Sequence, residues 1–445
     1  GSDKIFFGEA SQRLFGFVQG GLDGLRPAWK AFKSEDFVSE NIRIEQPRQR
    51  AIPSKTITIG KRKFEVGGKQ FRIPGRALTA MDELFKSIGY RSELNAQAYR
   101  VAATEGLKGE ARAARIAELV ENPTAVMQKA ATETAHYQTF TKLLGEAGQA
   151  VQKLSNSHPL LKIPFTFIRT PTNIVKYAGE RTILSVLSKK VRGNLSGKQG
   201  TVAQSEQMAR IIVGSAIAGG AYSLASNGHI TGGGPTDARE RAVKYAGGWQ
   251  PYSARIGEMN YSYGRIDPIA TLVGVVSDMH EISDRLSDTE IKDLTGLVTA
   301  AIAKNLISKT WTKGLSDLVE SVSDPNRYGD MYIRKLLSSG VPTGLAQIAR
   351  AQDPILREAR TIIDAVKARI PGLSKTLLPR YDVFGQPITL EGSLGPDFIS
   401  PIYESRIKND PVTRELLNLK VFPSKLNRKI RGAELSDTQY AELQI

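Results

Sequence analysis

The chain contains 445 residues, with 61 lysines and arginines against 45 aspartates and glutamates and a formal net charge of +16. It has no cysteine, which excludes disulfides, thiolate catalysis, Cys-based zinc sites and iron–sulfur clusters. A hydrophobic content of 40% and a charged content of 24% are typical of a folded chain, and the length allows two or three cores. The positive charge indicates an anionic partner such as DNA, a phospholipid surface or an acidic protein, with a solubility surplus as the alternative.

Residues 1–50 are predicted to form an aromatic-rich segment and a linker. Gly1-Ser2 in place of an initiator Met suggests a piece of a longer polypeptide, and no secretion signal is visible. The apolar positions of the segment favour packing on a neighbouring helix or on another copy of the chain, with docking on a membrane interface as the alternative. These positions are Ile5, Phe6, Phe7, Leu14, Phe15, Phe17 and Val18.

Residues 51–76 alternate in the strand manner around Gly60 and Gly67-Gly68, which predicts a small three-stranded β-meander. Its cations are opposed by Glu65 alone, and they are expected to contact phosphate without reading base sequence. The predicted nucleic-acid-binding residues here are Lys55, Lys61, Arg62, Lys63, Lys69, Arg72 and Arg76.

From residue 77 to residue 226 the apolar residues recur with the period of an α-helix, about 3.6 residues, which predicts a helical domain. Helices are predicted from Leu78 to a stop at Gly89, at 91–104, at 109–121, from Pro123 to about Leu154, and at 171–191. A second basic cluster ends the last of them and is also expected to contact nucleic acid. It comprises Lys189, Lys190 and Arg192.

The stretch IIVGSAIAGGAYSLA at 211–225 is the strongest membrane candidate. Its fifteen uncharged residues fall short of the ~20 that span a bilayer, so a soluble core helix is the default and bilayer insertion the alternative. Small residues let helices approach closely, as in membrane bundles and tight oligomers. The predicted membrane or oligomer contacts are Ile211, Gly214, Ala218, Gly219 and Tyr222.

A Gly-rich turn and one aromatic β-hairpin are predicted for residues 227–268. Strands are expected at 250–256 and 261–266, followed by Asp267 as helix N-cap and Pro268 at the first helical position. Gly232, Gly233 and Gly234 predict a plain turn. A phosphate cradle would need a preceding apolar strand and a Lys at the required spacing.

A second helical region is predicted for 269–370, with a capping box at Ser287–Glu290 and helices at 312–323, 328–339 and 353–369. The prolines and glycines of 371–445 indicate an extended, irregular arm. A last helix begins at Ser436-x-x-Gln439 and is cut short at Ile445. The predicted fold class is therefore mainly α, a multi-helix bundle-like assembly with a small N-terminal β-meander, one central β-hairpin and a Pro-rich C-terminal arm.

No catalytic signature is present, so no enzyme activity and no cofactor is predicted. The four histidines lie far apart. A metal site would need Asp267, Asp278 and Glu281 to gather along one helix, and a capping role for Asp267 with the others facing solvent is favoured instead. As an enzyme, the chain would have Asp237, Arg239, Glu240 and Asp267 as its nearest convergent polar groups.

Three separated blocks carry a family resemblance. They are PFTFIRTPTNIVKYAGERT at 164–182, GGWQPYSARIGEMNYSYGRIDPIATLVGVVSDM at 247–279, and LPRYDVFGQPITLEGSLGPDFISPIYESRIKNDPVTRELL at 378–417. The chain resembles internal virion proteins of tailed phages, which are ejected with the genome, and modules of large polyvalent phage proteins. The resemblance implies self-assembly into rings or tubes.

The resulting hypothesis is a structural virion component that leaves the particle with the genome and helps form a conduit for DNA across the host cell envelope. Its expected partners are copies of itself, other virion proteins, double-stranded phage DNA without sequence preference, and host membrane. Its expected locations are the virion interior and then the envelope. The alternative is a non-catalytic scaffold segment of a giant polyvalent protein whose virion RNA polymerase or cell-wall hydrolase lies elsewhere.

Overall fold

The computed structural model describes residues 2–34, 54–59, 62–67, 73–142, 144–145, 149, 169–182, 185–186, 188–286, 294–309, 317, 324, 328–338, 341, 343–389, 392, 400, 402–424 and 426–444. Some side chains within these ranges, including those of residues 2–7 and 54–75, lie outside the description. The capping box predicted at Ser287–Glu290 and most of the helix predicted at 312–323 also lie outside it.

The fold is mainly α, as the hydrophobic periodicity predicts. The chain divides into two compact units, Gly1–Ile174 and Val175–Ile445. This boundary falls inside the predicted helical domain at 77–226, and the finer domain division stays a prediction. The elements of the first unit are α1 (Ser2–Ser34), β1 (Ser54–Ile59), β2 (Arg62–Gly67), α2 (Ile73–Thr104), α3 (Gly109–Glu121), α4 (Ala125–Gln138) and the start of α5 (Arg169–Gly179).

Helix α1 packs on α2 through small residues. A Cβ atom added to Gly16 would lie 2.5 Å from the Arg91 carbonyl oxygen, and one added to Gly20 would lie 2.7 Å from the Ile88 Cα atom, so the two backbones touch. The contact on the neighbouring helix is therefore made by glycines, and not by the large apolar residues for which the packing was predicted. The large apolar residues point the other way, and those exposed are Leu14, Phe15, Phe17, Val18, Leu22, Leu25 and Trp29.

Helix α2 runs through Gly89, where the sequence predicts a stop. A Cβ at Gly89 would lie 3.1 Å from the Ala135 Cα atom of α4, so this glycine serves close helix packing instead of termination. The core of the unit forms where α2, α3 and α4 meet, around Leu94, Tyr99, Ile116, Leu119 and Met127. Helix α3 has the predicted bounds, whereas α4 ends at Gln138 rather than near Leu154.

The second unit contains more and shorter elements. They are α6 (Lys189–Leu195), α7 (Thr201–Ser226), α8 (Ala238–Ala246), β3 (Ser253–Ile256), β4 (Met259–Ser262), α9 (Ile269–Ser283), α10 (Leu294–Ser308), α11 (Asp330–Ser338), α12 (Thr343–Gln352), α13 (Ile362–Lys367), a 3₁₀ turn (Ser374–Thr376), β5 (Glu404–Arg406), α14 (Pro411–Asn418), β6 (Lys429–Ile430), β7 (Ala433–Glu434) and α15 (Asp437–Gln444).

The predicted central hairpin is part of a three-stranded antiparallel sheet. Strands β3 and β4 are shorter than predicted and are joined by the two residues Gly257 and Glu258. Strand β5 then adds to β4, with Asn260 opposite Ser405. The predicted central hairpin is confirmed, but the sequence does not predict β5, because this strand comes from a distant part of the chain and is too short to show strand periodicity.

The helix after the sheet begins at Ile269, with Pro268 as its N-cap residue, so the predicted capping role of Asp267 is wrong. The Asp267 carboxylate accepts a hydrogen bond of 2.7 Å from the Thr271 hydroxyl and pairs with Lys309 at 2.8 Å. The cap predicted at the C terminus is confirmed. The Gln439 backbone N–H donates to the Ser436 hydroxyl and the Gln439 side chain accepts from the Ser436 N–H.

Two predicted long helices are interrupted. The helix predicted for 171–191 divides into α5 and α6, and the one predicted for 353–369 retains only α13, since Pro354 follows the end of α12 and residues 355–357 form isolated bridges. The N-terminal meander has two strands among the described residues, with Ile59 opposite Arg62, and Ile73 belongs to α2. A third strand and an extended Pro-rich arm are not confirmed.

Candidate functional site

Helix α7 is the most unusual element of the second unit. Its 26 residues include no proline, and at ~1.5 Å per residue it is long enough to cross a hydrocarbon core of ~30 Å. Among the described helices of the chain, it alone meets the length and apolarity of a membrane span. A buried core helix can meet the same test, but only 17% of the apolar window of α7 is buried.

A narrow strip of α7 faces the rest of its unit. The buried positions are Gln207, Gly214, Ala221 and Ala225, which fall on one side of the helix. The Gln207 amide donates a hydrogen bond of 3.0 Å to the Glu180 carbonyl oxygen. A Cβ at Gly214 would lie 1.8 Å from the Arg181 carbonyl oxygen, so only glycine fits there.

The opposite face of α7 carries large apolar side chains in contact with solvent. Ile212 is 68% exposed and Val213 is 57% exposed. We call this the outer face of α7, and it consists of Val202, Met208, Ile212, Val213, Ile217, Tyr222 and Leu224. Contiguous apolar surface of this kind marks contact sites for protein or membrane.

The five predicted contact residues are divided between the two faces. Gly214 is taken up by the chain itself, against Arg181. Ile211 and Ala218 are partly buried, whereas Gly219 and Tyr222 are exposed. Gly219 has open space around it, since an added Cβ would meet nothing within 4 Å. The exposed aliphatic residues are thus better placed for an external contact than the small residues that the sequence singled out.

The C-terminal end of α7 is fixed to α9. Ala221 and Ala225 pack with Ile230, and Val273 and Val276 of α9 cover them. The Tyr222 ring meets the His280 ring edge to face at 5.6 Å between centroids. Small residues on α7 therefore bring α9 close, and of the outer face only Tyr222, at its edge, takes part in this contact among the residues that the structure describes.

The glycine turn after α7 holds carboxylates of α9. The N–H groups of Gly232 and Gly234 donate to the two carboxylate oxygens of Glu281 at 2.8 Å each, and the Gly233 N–H donates to Asp278 at 2.8 Å. Successive glycine N–H groups form a concave anion site, and here the chain's own side chains fill it. The turn predicted from the sequence is confirmed, but its amides serve α9.

Lys304 of α10 completes this group of contacts. Its ammonium lies 2.9 Å from Asp278 and 2.8 Å from Glu281, and the Tyr252 hydroxyl donates to Asp278 at 2.9 Å. We call Gly232, Gly233, Gly234, Tyr252, Asp278, Glu281 and Lys304 the carboxylate network. It joins the turn, the sheet, α9 and α10. The role of Lys304 cannot be predicted from the sequence, because it depends on contacts with residues of another helix.

Burial raises the pKa values of Asp278 and of two tyrosines near it. It raises the pKa of Asp278 above its ordinary value, although the Lys304 ammonium and the Gly233 N–H act in the opposite direction. Burial, followed by the Asp278 charge, raises the pKa of Tyr252. Burial likewise raises the pKa of Tyr263, whose hydroxyl donates to the Thr231 carbonyl oxygen at 2.7 Å. Both tyrosines therefore remain hydrogen-bond donors at neutral pH.

The carboxylates considered as metal ligands or as part of an active site have other roles in the structure. The sequence predicts that Asp278 and Glu281 face solvent, but Asp278 is buried and Glu281 is partly buried. The described residues contain no group of three or more His, Asp or Glu placed to hold a metal ion. Asp237 caps α8 through the Arg239 N–H at 2.8 Å, and the Arg239 side chain holds the Asp237 pKa low. Glu240 pairs with Arg285 at 2.8 Å, and this contact lowers its pKa.

Only some of the predicted nucleic-acid-binding residues belong to the part of the chain that the structure describes. Lys189, Lys190 and Arg192 are exposed on α6, and Lys190 lies 3.5 Å from Glu180. Arg76 donates to the Phe32 carbonyl oxygen at 2.6 Å and covers the Phe32 ring. Lys55, Arg62 and Lys63 lie on the paired strands β1 and β2, with side chains outside the description, and Lys61, Lys69 and Arg72 are wholly outside it.

The chain matches no protein-family model, no curated protein and no solved structure. A proposal for its function therefore has to start from the geometry of the second unit.

Proposed function

We propose that this protein is a structural component of a tailed-phage virion, an internal protein that is released with the genome and helps form a conduit for DNA across the host cell envelope. The observation that carries the proposal is the outer face of α7, with Ile212 68% exposed and Val213 57% exposed. The resemblance of three sequence blocks to ejection proteins supports it.

The chemistry around α7 suits an envelope. A conduit needs surfaces that contact lipid or neighbouring copies of the chain. Burying exposed Ile, Val and Leu side chains against either one is favourable by about 25 cal/mol per Å² of apolar surface. Helix α6, which packs against α7, presents Lys189, Lys190 and Arg192 to solvent. Cations beside an apolar helix favour anionic lipid headgroups.

The proposed partners are other copies of the chain, other virion proteins, phage double-stranded DNA and host membrane. The role is structural, so no bond-making step is assigned to any residue. The protein would act first in the virion interior and afterwards in the envelope.

The central test combines electron microscopy with vesicle flotation. Purified protein should form ordered oligomers or float with vesicles that contain phosphatidylglycerol. The double variant Ile212→Ser with Val213→Ser should reduce both by at least about tenfold. Its matched control is Val412→Ser with Leu419→Ser, which removes two exposed apolar side chains of α14 and the turn after it.

The control should behave like the wild type. An equal loss in the control would show that general stickiness drives association, and a wild-type protein that stays monomeric and does not bind membrane would refute the proposed function.

A second test concerns DNA. Exchanging Lys61, Arg62, Lys63, Lys69 and Arg72 for Ser should flatten the dependence of duplex binding on salt, by about 0.9 in the log–log slope for each phosphate that the variant no longer neutralises. Duplex affinity can be measured by fluorescence anisotropy over a salt series. Unchanged affinity would mean that this basic segment faces lipid or protein.

A further inference from the structure

The second unit contains a cleft that the proposed function does not use. Its volume is about 560 Å³, and it lies among the end of α8, the three-stranded sheet, helix α12 and the residues that follow α12. Its polar wall includes Tyr245, Gln250, Arg265, Gln347, Arg350 and Tyr403. Among the lining residues that the structure describes, the charged ones are the arginines Arg265 and Arg350, so this described part of the wall is cationic.

Two arginines at or near this cleft, Arg350 and Arg369, have no counterion within the part of the chain that the structure describes. Neither Arg350 nor Arg369 forms an ion pair with any residue that the structure describes. Arg369 is partly buried, and both this burial and the nearby Arg350 charge lower its pKa. Two neighbouring guanidinium groups repel each other, and an anion placed beside them would relieve that repulsion.

Arg265 is held in a fixed orientation. Its guanidinium covers the Tyr403 ring at 4.5 Å from the centroid, and one of its N–H groups donates to the Tyr403 hydroxyl at 2.6 Å. These two contacts hold the guanidinium against the Tyr403 ring. A planar cation of this kind serves two purposes in nucleic-acid sites, since its N–H groups bind phosphate and its face stacks on a base.

The remaining wall has the chemistry that binds unpaired bases. The Tyr245 side chain is 42% exposed, and the amides of Gln250 and Gln347 can donate to and accept from base edges. The volume of the cleft lies within the range of small-ligand sites, roughly 300–1,000 Å³, which is too small for a base-paired helix. Aromatic rings combined with cations are the usual composition of single-strand binding sites.

We propose that this cleft binds a short single-stranded segment of nucleic acid, with Arg350 and Arg265 on the phosphates and a base against the Arg265–Tyr403 stack and Tyr245. The site shares no residue with the outer face of α7 or with the cations assigned to duplex DNA. It can therefore fail while the proposed function stands, or hold while the proposed function fails.

The test uses the full chain and a fluorescein-labelled oligothymidylate, followed by fluorescence anisotropy over a salt series. Arg350→Gln should weaken binding by about tenfold and reduce the log–log salt slope by about 0.7, the value for one phosphate contact on a single strand. Arg350→Lys should recover most of the affinity. Tyr245→Leu should weaken binding by about tenfold at every salt concentration, because a stacking contact carries no charge.

The matched control is Arg431→Gln, which removes one positive charge from an exposed position in the turn between β6 and β7. It should leave the affinity within about twofold of the wild type. An equal loss from Arg431→Gln, or tighter binding of a duplex than of the single strand, would overturn the proposal.

Two further ligands identify the source of the anion. Inorganic phosphate and phosphatidylglycerol vesicles should each compete poorly with the oligonucleotide. Displacement by either at concentrations comparable to the oligonucleotide would show a phosphate or headgroup site and would also overturn the proposal. Thermal unfolding of Arg350→Gln should match the wild type, since Arg350 is exposed. The Tyr245 ring also meets the Trp249 ring edge to face at 5.5 Å between centroids, so binding by Tyr245→Leu is measured at a temperature at which its unfolding curve shows a folded protein.

Discussion

The carboxylate network and the outer face of α7 belong to neighbouring parts of the second unit, and they differ in how completely the chain satisfies them. In the network, three glycine N–H groups, a tyrosine hydroxyl and Lys304 all reach Asp278 or Glu281. On the outer face, Ile212 and Val213 contact solvent. A closed region should control stability, and an open apolar region should control association.

The largest expected effect comes from removing the cation of the network. Lys304→Met should lower the free energy of unfolding by about 3–5 kcal/mol, because it leaves the buried Asp278 carboxylate and the partly buried Glu281 carboxylate without their positive partner. Chemical denaturation measures this change. The matched control is Lys190→Met, which breaks an exposed pair with Glu180 and should cost less than about 1 kcal/mol. Equal losses would show that the network does not anchor the unit.

The next largest effect is expected at two glycines of α7, which test which side of this helix faces the rest of its unit. Gly214→Ala should destabilise the protein by about 1–3 kcal/mol, because the added methyl group meets the Arg181 backbone. Gly219→Ala should instead stabilise it by about 0.5–1 kcal/mol, since it removes a flexible glycine from a helix interior with open space around it. Thermal or denaturant unfolding of the two variants gives the comparison. The same sign for both would contradict the orientation of α7.

The change in folding stability that comes from titration of Asp278 should be smaller than the effects of these substitutions. Because the folded-state pKa of Asp278 lies above its ordinary value of 3.8, the folded state binds the proton more tightly than the unfolded state does. The contribution of this group to stability is therefore fully present below the ordinary pKa and is lost as pH rises through the folded pKa. The stability difference between wild type and Asp278→Asn should narrow as pH rises from about 4 towards neutrality.

This pH effect is measured by denaturant unfolding of both proteins at each pH. Carboxylates with lowered pKa values, such as Glu240 beside Arg285, act in the opposite direction and cancel in the comparison because both proteins contain them. A difference that widens as pH rises would mean that Lys304 and the glycine N–H groups outweigh burial at Asp278.

The smallest effect on stability is expected at the outer face. Ile212→Ser should change the free energy of unfolding by less than about 0.5 kcal/mol, because an exposed side chain buries little apolar surface on folding. The same variant should alter association with copies or vesicles. A large loss of stability would show that this face is covered in solution by the chain itself.

Several features of the site cannot be predicted from sequence because they depend on residues far apart in the chain. The glycines at 232–234 predict a turn, but the groups that accept from their N–H groups lie on α9, and Lys304 lies on α10. The pairing of β5 with β4 joins Glu404 to Tyr261. The sequence predicts a helix end at Gly89, and only the approach of α4 explains why a glycine is there.

Local sequence is sufficient to predict the mainly helical class, the bounds of α3, the cap at Ser436 and the apolar character of α7, because these follow from residues within a few positions of one another. Tertiary packing alone selects which face of α7 is buried, which carboxylates fill the glycine turn and which arginines have no counterion among the described residues. Periodicity marks the apolar residues, whereas the neighbouring elements determine which of them are covered.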